Sequence, residues 1–479
     1  MQPTSEVHTI TFGSCRKQRK PQSVWNAVSA LQPDAWLWVG DYVYGGKGAA
    51  TPEELTKFFD EAEKTEEALR AATRIIDGVY DDHDYGINDG GKYHVHKQLA
   101  RTLFLDHVAR APADSPRRSQ PGGLYGTRIL GVPPREVKVL MLDTRFARDD
   151  YTIPSVGGSS WLPKAGYAAG AIRSLSALLG VGQSHSGDML GSEEQWRWLE
   201  AELTNSTAAA HILLSSVQVL TSSPIVESWG HFPRSRRRLL SLLAQTHPAG
   251  ALLLSGDVHY AELLGGGASG LLEVTSSGLT HSCADSAVGK LMCSAVLQLF
   301  GAHRFSANRL NAHRFGSGAS PSSTTASTSS TASSTAGASV GSFAGINFGS
   351  LEFAWRGDGA ADSTNAGSAD ADATSVADST AAAAGAAAAA STMTVRIHDV
   401  AGAVHLEHTI RLGRSNAQES ARWLHALHGE LPTIFDAAAR LRAPVAGVAL
   451  LGVLGVLGFT ARARQRAARA RRRAQKKAA

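Results

Sequence analysis

Five short apolar runs in this sequence stop at side chains that can ionise or bind a metal. Cys15 follows "TITFGS", Asp41 follows "AWLWVG", and the group Asp81, Asp82, His83 and Asp84 follows "RIIDGVY". Asp143 and Arg145 follow "VKVLML", and Asp257 and His259 follow "ALLLSG". One Gly-Asp after an apolar run is ordinary turn chemistry. Five such endings in one chain form a pattern, because open α/β sheets bind ligands outside the carboxyl ends of their strands. Carboxylates buried side by side there need compensating positive charge. Metal ions supply it, with hard oxygen ligands for one ion and Cys, Tyr and His for a transition metal.

The elements that must position these residues are legible in the same stretch. Apolar, β-rich runs alternate with helical patterns such as "TPEELTKFFDEAEKTEEALRAAT" and "SEEQWRWLEAELTNST", the second with Ser192 as N-cap. Strands alternating with helices predict an α/β fold. Several strands are apolar almost throughout, as expected where both faces of a sheet are covered. Residues 1–316 read as the main part of one domain, and 317–392 as a low-complexity insertion rich in Ser, Thr, Ala and Asp. A strand-like island at 343–355 interrupts the insertion. Residues 393–414 read as a hairpin turning near Ala401-Gly402, which pairs with the island and completes the domain.

Residues 415–442 form a helical neck, 443–459 an uncharged 17-residue run, and 460–479 a tail with nine Lys/Arg and no acid. The run is just long enough to span a bilayer, and the basic cluster beside it favours a single-pass helix with the tail on the cytosolic side. The net charge of +5 belongs to that tail, since +5 − 9 leaves −4 for the remainder. A nucleic-acid partner is therefore not expected. No apolar h-region stands at the N-terminus. The side of the membrane stays open, lumenal or extracellular if a signal peptide is missing from this sequence. The three cysteines make no disulfide framework, and Cys283 and Cys293 read equally as a pair or as free thiols.

Taken together, "FGSCRK", "WVGDYVYGG", "YDDHDYGINDGG", "MLDTRF", "SGDVHYAEL" and "TSSGLTHS" resemble the PhoD-like alkaline phosphatases of the metallophosphoesterase superfamily. "ESWGHFPRSRRRLL" and "INFGSLEFAW" are similar to its eukaryotic branch. The resemblance covers about residues 7–412 outside the insertion. It implies a four-layer αββα sandwich and a site holding iron and calcium. Carried over, it implies Cys15 and Tyr44 as iron ligands and Asp41 as a bridge between metals. Asn88 takes the family's Asn position, and Asp257 and His259 complete the set.

The expected activity is metal-dependent hydrolysis of phosphate esters by an activated water. Arg145 is expected at the phosphate and His83 as leaving-group acid. Two alternatives stay open: a phospholipid- or glycan-directed phosphodiesterase, and a catalytically silent, membrane-tethered module of the same fold. Each residue also has a plainer role available. Cys15 and Tyr44 can be core residues, His83 a structural hydrogen-bonder, and Asp82 and Asp84 orienters. His281 is a weaker site candidate, and Arg236, Arg237 and Arg238 read as a solvated helix face.

Overall fold

A computed structural model describes residues 6–45, 48–162, 165–265, 271–299, 341–355, 391–412 and 433–440. Its strands are β1 (Thr9–Gly13), β2 (Ala35–Val39), β3 (Ile75–Val79), β4 (Gly126–Leu130), β5 (Val137–Met141), β6 (Ala210–Leu214), β7 (Ala251–Ser255), β8 (Ala261–Gly265), β9 (Leu272–Ser276), β10 (Ser342–Phe343), β11 (Asn347–Ala354), β12 (Thr392–Asp399) and β13 (Val404–Arg411). Its helices are α1 (Val24–Ala30), α2 (Pro52–Glu63), α3 (Glu67–Ala72), α4 (Lys97–Leu103), α5 (Ala165–Leu178), α6 (Glu193–Thr204), α7 (Pro233–Thr246), α8 (Ala287–Leu299) and α9 (Ile434–Arg440).

The strands form two mixed sheets, ordered β13-β12-β11-β1-β2-β3 and β10-β8-β9-β7-β6-β5-β4. In the first sheet β1, β2 and β3 run parallel, and in the second β5, β6, β7 and β9 do. All five strands with reactive endings are therefore parallel members of their sheet. β11 lies antiparallel between β1 and β12, and β12 continues into β13.

Strand β2, "AWLWV", shows why these runs look uniformly apolar. All five residues are buried, but alternate side chains enter different cores. Leu37 and Val39 join Phe12, Val139, Leu214 and Leu254 between the two sheets. Trp36 and Trp38 point outward onto Trp25 of α1 and Phe59 of α2. In β7, Leu252 and Leu254 face the other sheet, while Leu253 packs with Leu199 of α6 and Leu243 of α7. The layers run helices, sheet, sheet, helices. Ser192 caps α6, its hydroxyl accepting from the Gln195 N–H at 3.4 Å.

Arg236 departs from its expected place on a solvated face. It is buried, and its guanidinium donates to the carbonyls of Val219 (2.7 Å) and Leu220 (3.2 Å). Arg237 and Arg238 are exposed. The segment after β6 leaves those carbonyls without sheet partners, and a buried guanidinium meets that need.

The same segment sets a pH dependence. The backbone N–H groups of Val219 and Leu220 donate to the Glu273 carboxylate at 2.8 and 2.6 Å. Burial outweighs these bonds and pushes Glu273 up to about 7. An acid raised in the folded state contributes stability that is full below its unfolded value, near 4.5, and lost as pH rises through 7. Urea unfolding of Glu273→Gln beside the parent should therefore show the variant gaining on the parent by roughly 3 kcal/mol between pH 4.5 and 8. A pH-independent difference would show that Glu273 stays ionised.

Of the expected segments, the apolar run 443–459, the basic tail, most of the insertion and the neck outside α9 lie beyond the described residues. Among the described residues no helix is long and apolar enough to cross a membrane.

Candidate metal centre

The site is built at the carboxyl ends of β1, β2, β3 and β7. Its residues there hold backbone conformations that side chains other than glycine rarely adopt. Cys15, Asp41, Asp257 and His259 have φ of 64°, 53°, 71° and 63°. Each costs roughly 1 kcal/mol or more. Four such residues at one locus mark a backbone bent to aim side chains inward, a cost that packing alone does not require.

Cys15 and Asp41 are fully buried. Cys15 Sγ lies 3.4 Å from Asp41 Oδ2 and 3.0 Å from Ser277 Oγ. The Tyr44 hydroxyl donates to Asp41 Oδ2 at 2.5 Å and stands 3.0 Å from His259 Nε2. Ser277 also accepts from the His259 N–H at 2.8 Å, so one hydroxyl ties the first strand end to the last. The ligand atoms of Cys15, Asp41 and His259 all fall within 4.8 Å of one another.

A carboxylate group adjoins this cluster. Asp41, Asp82 and His83 form one set within the same 4.8 Å limit, Asp81, Asp82 and Asp257 a second, and Asp82, Asp89 and Glu227 a third. Asp81 accepts at Oδ1 from Arg145 Nε (2.5 Å) and Ser216 Oγ (2.7 Å). Among the described residues its Oδ2 has no partner, and neither does Asp82 Oδ1. Asp84 instead accepts from the backbone N–H of Val43 (2.9 Å) and Asp81 (2.8 Å), which locks the β2 and β3 loops together.

Electrostatics sharpen the reading. Burial, then the charges of Asp82, Asp81 and Asp84, push Asp41 well above the usual carboxylate range. Burial raises Asp81 to about 7 against the opposing pull of Arg145, and raises Asp84 to about 8. Burial and Asp41 likewise raise the Cys15 thiol and the Tyr44 phenol. Burial lowers His259 to about 3, assisted by His83 and Lys17, so its imidazole is neutral and free to ligate. Too little positive charge is present to satisfy these acids. Orphaned buried oxygens beside a thiol, a phenol and neutral imidazoles fit a cation centre.

The structure gathers Cys15, Asp41, Tyr44, Asp257, His259 and His83, and gives Arg145 and Asn88 different surroundings. Arg145 is fully buried, and its Nη1 and Nη2 donate to Glu227 at 2.8 and 2.9 Å. With Nε on Asp81, the fork faces protein carboxylates, and Arg145 holds Asp81 and Glu227 in place. Asn88 lines a cleft of about 460 Å³ against the loop at Gly157 and Gly158. Its neighbour Asp89 is the residue that enters the carboxylate group, held by Arg173 at 3.0 Å. The Asp89 N–H donates to Asp82 Oδ2 at 2.7 Å, which turns the loop this way. Asp143 is consumed structurally, accepting from the Tyr80 hydroxyl (2.5 Å) and from the N–H groups of Leu124, Arg145 and Phe146.

Sequence reasoning missed Glu227 and Asp89. Glu227 opens "ESWGHF" far from any strand end, and Arg145 and Arg148 hold it below the carboxylate range although burial opposes them. Asp89 stands in "GIND" one position after Asn88, the residue expected there from the sequence.

Two sheets present a thiol, imidazoles and clustered carboxylates at their carboxyl ends, an arrangement suited to holding cations. Residues 80–264 match the family model of PhoD-like phosphatases. The match runs from the end of β3 through β8, and Cys15, Asp41 and Tyr44 join the site from strands before it. No curated protein matches significantly. A solved structure of PhoD is similar over 93% of this chain and 79% of its own length, with 14% identity and a TM-score of 0.46. A crystal structure of a Thermus thermophilus protein is similar over 56% of this chain and 88% of its own, with 12% identity and a TM-score of 0.28.

Proposed function

We propose that the chain is a metal-dependent hydrolase of phosphate esters. The observation that carries this reading is the joined pair of clusters, Cys15–Asp41–His259 and Asp81–Asp82–Asp257, with unpartnered oxygens on Asp81 and Asp82. Cys15, Tyr44 and His259 form the soft side, suited to iron or another transition metal, and Asp81, Asp82, Asp89 and Asp257 the hard side, suited to calcium. Asp41 belongs to both sides. Bound ions of these kinds supply Lewis acidity and a hydroxide nucleophile at neutral pH. The protein's own part is positional. Arg145 and Ser216 fix Asp81, Ser277 fixes His259, and His83, stacked on Tyr44 at 4.0 Å, stands beside Asp41 and Asp82 as a neutral imidazole whose N–H can hydrogen-bond the leaving oxygen.

Release of p-nitrophenol from p-nitrophenyl phosphate by the purified full chain, lost on chelation and regained on adding iron and calcium, tests this. A chain that binds metals yet hydrolyses no phosphate ester would be a silent module.

We also propose that residues 443–459 hold the chain in a membrane by a single span, with the basic tail cytosolic. Helix α9 ends three residues before that run and packs on α5. Helix α5 aims Arg173 inward at Asp89 and leaves Tyr167 (64%), Leu175 (55%) and Leu179 just beyond it (67%) exposed on the opposite side. An apolar ridge on the helix that α9 packs against suits a bilayer surface. A phospholipid phosphodiester is the second reading of the substrate, and the comparison of the two esters below decides between them. Cys283 and Cys293 are disulfide-bonded, which fits a lumenal or extracellular domain. Carbonate extraction should leave the chain in the membrane pellet, and thiol labelling without reductant should spare both cysteines. Release into the supernatant would remove the anchor.

A further inference from the structure

Lys17 follows the candidate ligand Cys15 by two residues and faces the same centre. Its ammonium lies over the Tyr44 ring, 5.2 Å from the centroid. It makes no hydrogen bond or ion pair among the described residues, whereas nearby Lys20 pairs with Asp285 at 3.1 Å. His281 approaches the same ring edge-on at 5.1 Å and stands 4.4 Å from the His259 ring. It is 5% exposed, and neither ring nitrogen has a partner among the described residues. The Thr280 hydroxyl accepts from the Lys17 N–H at 2.7 Å, which pins the two segments together.

This arrangement is costly without a ligand. A buried imidazole with no partner forfeits its hydrogen bonds. A half-buried ammonium beside a centre suited to hold metal cations would be repelled by them unless an anion came between. Both costs vanish if a phosphoryl group sits against Tyr44 and directs free oxygens at Lys17 and His281.

We propose that Lys17 and His281 are the protein's contacts to the phosphoryl oxygens, and that Lys17 selects a phosphomonoester over a phosphodiester. The inference rests on the phosphoesterase reading above. A monoester dianion carries one more charge and one more unesterified oxygen than a diester. Lys17 is the group that meets them, because Arg145, Arg148 and Arg173 are all committed to carboxylates.

The test compares the metal-loaded full chain with Lys17→Met, Lys17→Arg and His281→Asn. Binding of inorganic phosphate is measured by calorimetry. Turnover is measured with p-nitrophenyl phosphate and bis(p-nitrophenyl) phosphate, and bound metals by elemental analysis. Lys17→Met should weaken phosphate binding and raise KM for the monoester by about ten- to a hundredfold, the range of one charge-assisted hydrogen bond. It should leave metal content unchanged and the diester within about threefold. Lys17→Arg should recover most of the phosphate affinity, and His281→Asn should weaken both esters alike.

Unchanged phosphate binding in Lys17→Met, or a loss that follows metal loss, overturns the contact. Equal losses for the two esters overturn the selection and favour a diesterase. Phosphate binding that depends on Lys17 in a chain hydrolysing neither ester supports the contact while removing the hydrolase reading.

Discussion

Asp41→Asn and Asp257→Asn should each lower kcat for p-nitrophenyl phosphate by about a thousandfold or more, the value of several kcal/mol of charge stabilisation. The two variants reach that result from different places. Asp41 is buried at the junction of the soft and hard sides, within reach of Cys15, Tyr44, His83 and His259. Asp257 stands at the partly exposed edge beside Asp81 and Asp82. Each change removes one negative charge from a group already crowded with acids. Stability should therefore fall far less than activity, and Asp257→Asn should make the metal-free chain no less resistant to urea than the parent. Near-normal turnover in both variants would end the metallohydrolase reading. Inactivity that merely follows unfolding, seen as a collapse of the urea midpoint, would count against a functional role for these carboxylates.

Cys15→Ser and Cys15→Ala should lose transition metal and activity together, with bound calcium less affected. A thiolate prefers iron or a similar ion over calcium, and serine keeps the volume while replacing the soft donor with a hard one. The backbone offers an independent check. At φ 64° a cysteine is strained, and glycine at that position is not. Cys15→Gly should therefore be at least as stable as Cys15→Ala by urea unfolding, although it removes more of the side chain. That order would show strain retained for the sulfur's position. A packing role alone predicts the opposite order, through the larger cavity, and an unchanged iron-to-protein ratio in all three variants.

The α/β class and the strand-end residues were legible along the chain because both depend on local order. A buried parallel strand must be apolar on two faces, so "AWLWV" and "ALLLS" announce themselves, and whatever follows them lies at a carboxyl edge. Cys15, Asp41, Tyr44, Asp257 and His259 came from that rule together with the family resemblance of their motifs. The partners of Arg145 could not be read in this way. A strand end and a guanidinium pointed to phosphate, and the fold brought Glu227, 82 residues away, to claim both Nη atoms. Arg236 reversed for the same reason, since only the packed segment after β6 shows which carbonyls need a donor.

That Asp89, beside the expected Asn88, joins the carboxylate group depends on one turn of loop, set by the hydrogen bond to Asp82 and by the ion pair from α5, neither of which has a periodic signature. Sequence thus determined which residues can be reactive and which strands carry them. Tertiary structure decided which charges are already paired, because pairing is a matter of distance in space and leaves no trace in spacing along the chain.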